Sequence, residues 1–87
     1  MTISQLNTSL ADALKVYLRA SKHNDTGKLY NSIKFNCTID KGIDINLDAM
    51  EYIQYLDDGQ FLEDFYNSKI VEDILSEFVI TTDAELI

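Results

Sequence analysis

The 87-residue sequence contains no proline and no tryptophan, one cysteine, one histidine, three glycines and only seven basic residues. Each scarcity excludes something. Without proline, a repeat or a low-complexity run, nothing punctuates the chain into separate units, and residues 1–87 read as a single domain. A lone cysteine, Cys37, rules out an internal disulfide. Its place on an alternating apolar face makes it a small buried hydrophobe in a reducing compartment. One histidine and one buried cysteine cannot supply the roughly four nitrogen or sulfur ligands of a zinc site. The longest unbroken aliphatic or aromatic run is Phe78-Val79-Ile80, far below the ~20 residues that span a bilayer. The N-terminus lacks a basic stretch followed by a continuous apolar core, so no signal peptide is expected. The expectation is a soluble protein of a cytoplasm, with no membrane partner.

Basic residues are scarce unevenly. Residues 1–39 carry Lys15, Arg19, Lys22, Lys28 and Lys34 against Asp12 and Asp25, a net of +3. Residues 40–87 carry Lys41 and Lys69 against thirteen acids, a net of −11, which makes the whole chain −8. Phosphate backbones are bound by clustered cations, so sequence-specific nucleic-acid binding is not expected. A solvated acidic surface is the simplest reading.

What the chain does have is pattern. Ile33, Phe35, Cys37 and Ile39 alternate with Lys34, Asn36, Thr38 and Asp40; after Asp40-Lys41-Gly42, Ile43, Ile45 and Leu47 alternate with Asp44, Asn46 and Asp48. Period-2 alternation marks strands with one dry and one wet face. Folding about the turn pairs Ile39 with Ile43, Cys37 with Ile45 and Phe35 with Leu47, and a one-residue slip would turn every apolar side chain to water. A three-residue turn ending in glycine predicts a type I turn followed by a residue at positive φ.

Helical patterns flank the hairpin. Ile3, Leu6, Leu10, Leu14, Tyr17 and Leu18 recur at spacings of three and four up to about Lys22, with Thr2 or Ser4 as cap. Such a helix is long for so small a domain, roughly 30 Å, and part of its stripe is expected to overhang the hairpin. Asp25 or Thr26 is placed to cap a short helical turn carrying Leu29 and Tyr30. Asp48-Ala49-Met50-Glu51 reads as a capping box opening a helix through Met50, Tyr52, Ile53, Tyr55 and Leu56, with Gly59 as terminator. Phe61, Leu62, Phe65 and Tyr66 form a dense aromatic patch. Asn67 or Ser68 then caps a strongly amphipathic helix with Ile70, Val71, Ile74, Leu75, Phe78 and Val79 on one face, leaving a tail, about 81–87, that is flexible or partner-bound. The fold class predicted is α+β: a long N-terminal helix, a central antiparallel hairpin and two C-terminal helical segments packed on it.

No constellation in this pattern carries chemistry. Ser21, His23 and Asp25 sit in a polar helix-end loop, which does not supply the rigid relay of acyl transfer. Gly27-Lys28 lacks the first glycine of a phosphate-binding loop, because Lys22 stands in its place. Asp44, Asn46 and Asp48 lack the glycine and glutamate of a helix–loop–helix calcium site, since Ala49 and Tyr55 occupy those positions. Adjacent acids such as Asp57-Asp58 and Glu63-Asp64 do not face one another on a helix and make poor acid/base pairs. No catalytic residue, metal or cofactor is predicted.

Two short stretches carry a resemblance. Thr26, Gly27, Leu29, Ser32 and Ile33 fit T-G-x-L-x-x-S-I ahead of the strands, and Tyr52, Tyr55 and Gly59, with Leu56 and Asp57 as close replacements, fit Y-A-x-Y-V-E-x-G-T after them. Ile53 stands where that pattern has alanine and Gln60 where it has threonine. In these features and their order the chain resembles the tail-completion or neck proteins of tailed bacteriophages. The resemblance implies a non-enzymatic structural protein of the virion head–tail junction, present in the host cytoplasm during assembly. Its partners would be copies of itself in a ring and neighbouring neck, portal, adaptor or tail proteins.

A domain of this size buries only about 60% of its unfolded surface, and surplus aromatics on a thin domain mark interfaces. The candidate partner-contacting residues are therefore Leu10 and Tyr17 on the first helix, Tyr55, Phe61, Phe65 and Tyr66 in the aromatic patch, and Leu86 and Ile87 in the tail. A contrasting reading is an acidic inhibitor that mimics the charge of DNA and blocks a host DNA-binding enzyme. It explains the −8 but requires acids spaced along one surface like phosphates.

Overall fold

A computed structural model describes residues 2–21 and 27–86 of the chain, the last six of these as backbone only. The long helix predicted at the N-terminus is α1, Ile3–Ala20. Its start is a capping box that the sequence reading only half named. The Gln5 N–H donates to Thr2 Oγ1 at 3.1 Å, and the Thr2 N–H donates back to Gln5 Oε1 at 2.8 Å. Two otherwise unpartnered N–H groups of the helix start are thus satisfied.

Gly27, left-handed at φ 84°, precedes the short helix α2, Lys28–Ser32, whose Leu29 is buried. The predicted cap residues Asp25 and Thr26, like Lys22 and His23, lie outside the described residues. Strands β1, Lys34–Ile39, and β2, Ile43–Asp48, pair antiparallel in the anticipated register, with Ile39 opposite Ile43, Cys37 opposite Ile45 and Phe35 opposite Leu47. The turn differs. Among the described residues positive φ is found at Gly27, Asp57, Asp58 and Gly59 but not at Gly42. The Asp40 N–H donates to the Gly42 carbonyl at 3.0 Å, so these two residues continue the ladder and Lys41 alone forms the tip. A connection closed this way needs no left-handed glycine.

The predicted helix after the hairpin is a 3₁₀ segment, Glu51–Gly59, with Met50 at its start and no side-chain cap. The capping box read at Asp48–Glu51 does not form, because Asp48 is still held in β2 as the partner of Lys34. The segment is interrupted where Leu56 is extended and Asp57 and Asp58 turn left-handed. Gly59 completes the reversal at φ 88° and leads into α3, Gln60–Tyr66. Helix α4, Lys69–Leu86, follows, and its backbone continues through the stretch predicted as a tail.

One core holds these elements together. Leu6, Leu10, Leu14 and Leu18 of α1 meet Leu29, Ile33, Phe35, Cys37, Ile53, Phe61, Phe65, Val71 and Phe78. Helix α1 lies along β1 on one side and α4 on the other. Where α1 runs past the hairpin its stripe is not left open: Leu6, Leu10, Leu14 and Leu18 are buried, Ile3 and Tyr17 half-buried, and α3 covers the far end, with the Tyr17 ring tilted against Phe61 and Phe65 at 5.4 and 5.6 Å between centres. The result is a mixed α+β molecule measuring 45 × 21 × 20 Å.

Candidate interaction surface

The aromatic patch divides between inside and outside. Phe61 and Phe65 recur at i and i+4 on α3, so both fall on the face that meets α1, and both are buried. Leu10 is likewise enclosed. These three are core residues with no surface to offer a partner, which corrects their assignment as contact candidates. Tyr17 is half-buried, its ring held by Phe61 and Phe65. Tyr55 is 66% exposed, and Tyr66 presents one edge outward while its ring packs on Phe65 at 5.5 Å. The Leu86 side chain and Ile87 lie outside the described residues.

Several large apolar side chains beyond the candidate contact residues are also exposed. Met50 and Tyr52 join Tyr55 on the loop-like 3₁₀ segment, Val16 projects from α1, and Ile39 stands at the hairpin tip. On α4 the predicted single apolar face is only partly used. Val71 and Phe78 are buried, whereas Ile70 and Val79 are exposed and Ile80, on the opposite side of the helix, is 69% exposed. A shallow recess beside Leu75, Ser76, Val79 and Ile80 continues this apolar strip.

Polar contacts at three places fix the framework under this surface. The Cys37 N–H donates to Asn7 Oδ1 at 2.8 Å, tying β1 to α1. Ser32 donates to the Leu29 carbonyl at 2.7 Å and accepts from the Met50 N–H at 3.0 Å, joining α2 to the start of the 3₁₀ segment. Lys15 Nζ and the Arg19 guanidinium lie 5.2 and 4.6 Å from the centre of the Tyr30 ring, gathering cations at one end of α1. Ser32 belongs to a stretch already singled out. Asn7 and Tyr30 gave no sequence signal, because their partners are distant in the chain.

Two groups among the described residues are shifted from their ordinary acidity. Burial pushes the Cys37 thiol above its ordinary value, opposed in part by the Asn46 backbone N–H. Burial also raises the Tyr66 phenol, and the neighbouring Cys37 adds to that shift. A thiol held neutral is a poor nucleophile. Asp44, Asn46 and Asp48 share the exposed face of β2. Among the described residues no group of three or more His, Cys, Asp or Glu is placed to hold a metal ion, and no helix is long and apolar enough to cross a membrane. No family model, curated protein or solved structure matches this chain.

Proposed function

We propose that the chain is a non-enzymatic structural component of the head–tail junction of a tailed phage, acting through ring assembly with copies of itself and contact with neighbouring neck, portal or tail proteins. One observation supports this reading above the others: Gly27, Leu29, Ser32, Ile33 and Gly59, among the residues that carry the resemblance, hold the fold's corners. Gly27 and Gly59 take left-handed conformations that glycine adopts at least cost. Leu29 and Ile33 are buried, and Ser32 joins α2 to the 3₁₀ segment. A pattern set by the demands of the backbone at such positions is consistent with a part that acts through its architecture.

The surface supports the same reading. Tyr52, Tyr55, Val79 and Ile80 are large, apolar and exposed on a chain of 9.9 kDa, the composition of a surface covered on assembly. The +3 and −11 halves favour alternating contacts between neighbours. An acidic lumen would also let DNA pass without adhering.

Affinity capture of the tagged chain, co-expressed with the products of its neighbouring reading frames in a bacterial host, tests the proposal. Recovery of portal, capsid or tail proteins is the expected result. Recovery of a host nuclease or polymerase instead would overturn it and favour charge mimicry of DNA.

A further inference from the structure

The two edges of the hairpin are not equivalent. The bond between the Asp40 N–H and the Gly42 carbonyl makes these residues a hydrogen-bonded pair of the antiparallel ladder. Such pairs alternate along the strands, so Thr38–Asp44, Asn36–Asn46 and Lys34–Asp48 are hydrogen-bonded as well. The intervening residues therefore point their backbone groups outward: those of Phe35, Cys37 and Ile39 from β1, those of Ile43, Ile45 and Leu47 from β2. The β1 edge is engaged by α1 at its middle. Its Cys37 N–H is taken by Asn7, and α1 lies along it. The β2 edge is open, for among the described residues no hydrogen bond reaches the outward groups of Ile43, Ile45 or Leu47.

Sheet edges are ordinarily blunted by shortness, charged side chains, a proline, a bulge, an inward-pointing charge or a covering element; β2 carries only the outer-face charges Asp44 and Asp48. Strand β2 has an uninterrupted register, no proline and only Ile43, Ile45 and Leu47 on its inward face, each half-buried. We infer that β2 is a self-association edge, pairing antiparallel with β2 of a second copy about a two-fold axis through Ile45.

The charges select that register. With Ile45 on the axis, Ile43 faces the partner's Leu47 and Asp44 faces the partner's Asn46. Asp48 meets the partner's Gly42, beside the partner's Lys41. Shifting the axis to Asp44 sets that carboxylate against its own copy, and shifting it to Asn46 sets Asp44 against the partner's Asp48. Like charges directly opposite are destabilising, so among registers that overlap most of the strand only the Ile45-centred one avoids them. The axis stands perpendicular to the sheet, so both helical layers lie on one side and each row of Ile43, Ile45 and Leu47 covers the other. This pairing is independent of the head–tail proposal, whose ring closes by a head-to-tail contact rather than a two-fold one.

Sedimentation velocity on the intact chain, from micromolar to millimolar concentration, provides the test. The expected result is a monomer–dimer equilibrium. Asn46→Asp places two carboxylate pairs across the axis and is expected to weaken dimerisation about tenfold, whereas Asn46→Lys places two opposite-charge pairs there and strengthens it to a similar degree. Asn46 is on the exposed face of β2, and far-UV circular dichroism checks that both variants keep the fold. A monomer throughout, or an association constant that both substitutions leave unmoved, overturns the pairing. Larger oligomers indifferent to Asn46 overturn it too while leaving the head–tail proposal standing.

Discussion

Asn7 shows how much of the fold rests on single polar contacts that no local pattern announces. It sits among the polar residues of α1, and only the fold brings its carboxamide to the Cys37 N–H thirty positions away. Replacing it by alanine leaves a part-buried donor without its acceptor. Asn7→Ala is expected to lower unfolding free energy by about 1–2 kcal/mol, read from urea titration. Cys37 itself is legible, since its alternation with Asn36 and Thr38 places it on the dry face. Its burial also sets a pH dependence. The folded chain keeps both the Cys37 thiol and the Tyr66 phenol neutral beyond their ordinary values of 9.0 and 10.0. The unfolded chain therefore loses those protons first as pH rises. Stability is full below about pH 9 and declines above it. The urea midpoint should fall between pH 8 and pH 10.5, and less steeply in Cys37→Ala, which starts from a lower value because of the lost packing.

Among the elements, the hairpin was the most legible, because a period of two admits one register that keeps Phe35, Cys37, Ile45 and Leu47 dry. Helix α1 was nearly as plain. What misled was local chemistry that tertiary pairing overrode. Asp48 has the sequence of a helix cap, yet the ladder to Lys34 holds it in β2, and the following segment tightens to 3₁₀ and reverses at Asp57-Asp58-Gly59. Gly42 looked like a residue required at positive φ and is not one. A β-carbon added there meets nothing within 4 Å, so Gly42→Ala should leave stability unchanged or raise it by about 0.5 kcal/mol through a less mobile unfolded chain. Thermal melts decide between that and the loss of 1 kcal/mol or more that a left-handed site would impose. For α4 the pattern placed Val71 and Phe78 inside but could not show that Ile70 and Val79 would be left out, since a 21 Å-wide molecule has too few elements to cover both flanks of a helix.

Over the whole molecule, the division of Tyr55 from Phe61 and Phe65 was beyond sequence reasoning, for all belong to one aromatic-rich stretch and the chain reversal at Asp57–Gly59 alone separates them. The division has a measurable consequence. Phe65→Ala removes a fully enclosed ring and should cost about 3–5 kcal/mol, whereas Tyr55→Ser should leave the urea midpoint of the single chain within about 0.5 kcal/mol of the parent. If Tyr55 belongs to a contact surface, its substitution should instead weaken assembly. A two-fold pairing through β2 and a head-to-tail contact through such a surface are compatible, and together they generate a double ring. Native mass spectrometry of the chain, alone and co-expressed with the products of its neighbouring reading frames, tests the assembly most directly. A closed multimer of this chain, carrying portal or tail subunits when they are present and lost in Tyr55→Ser, is the result expected. A mass of 9.9 kDa under every condition, with no virion protein attached, would contradict it.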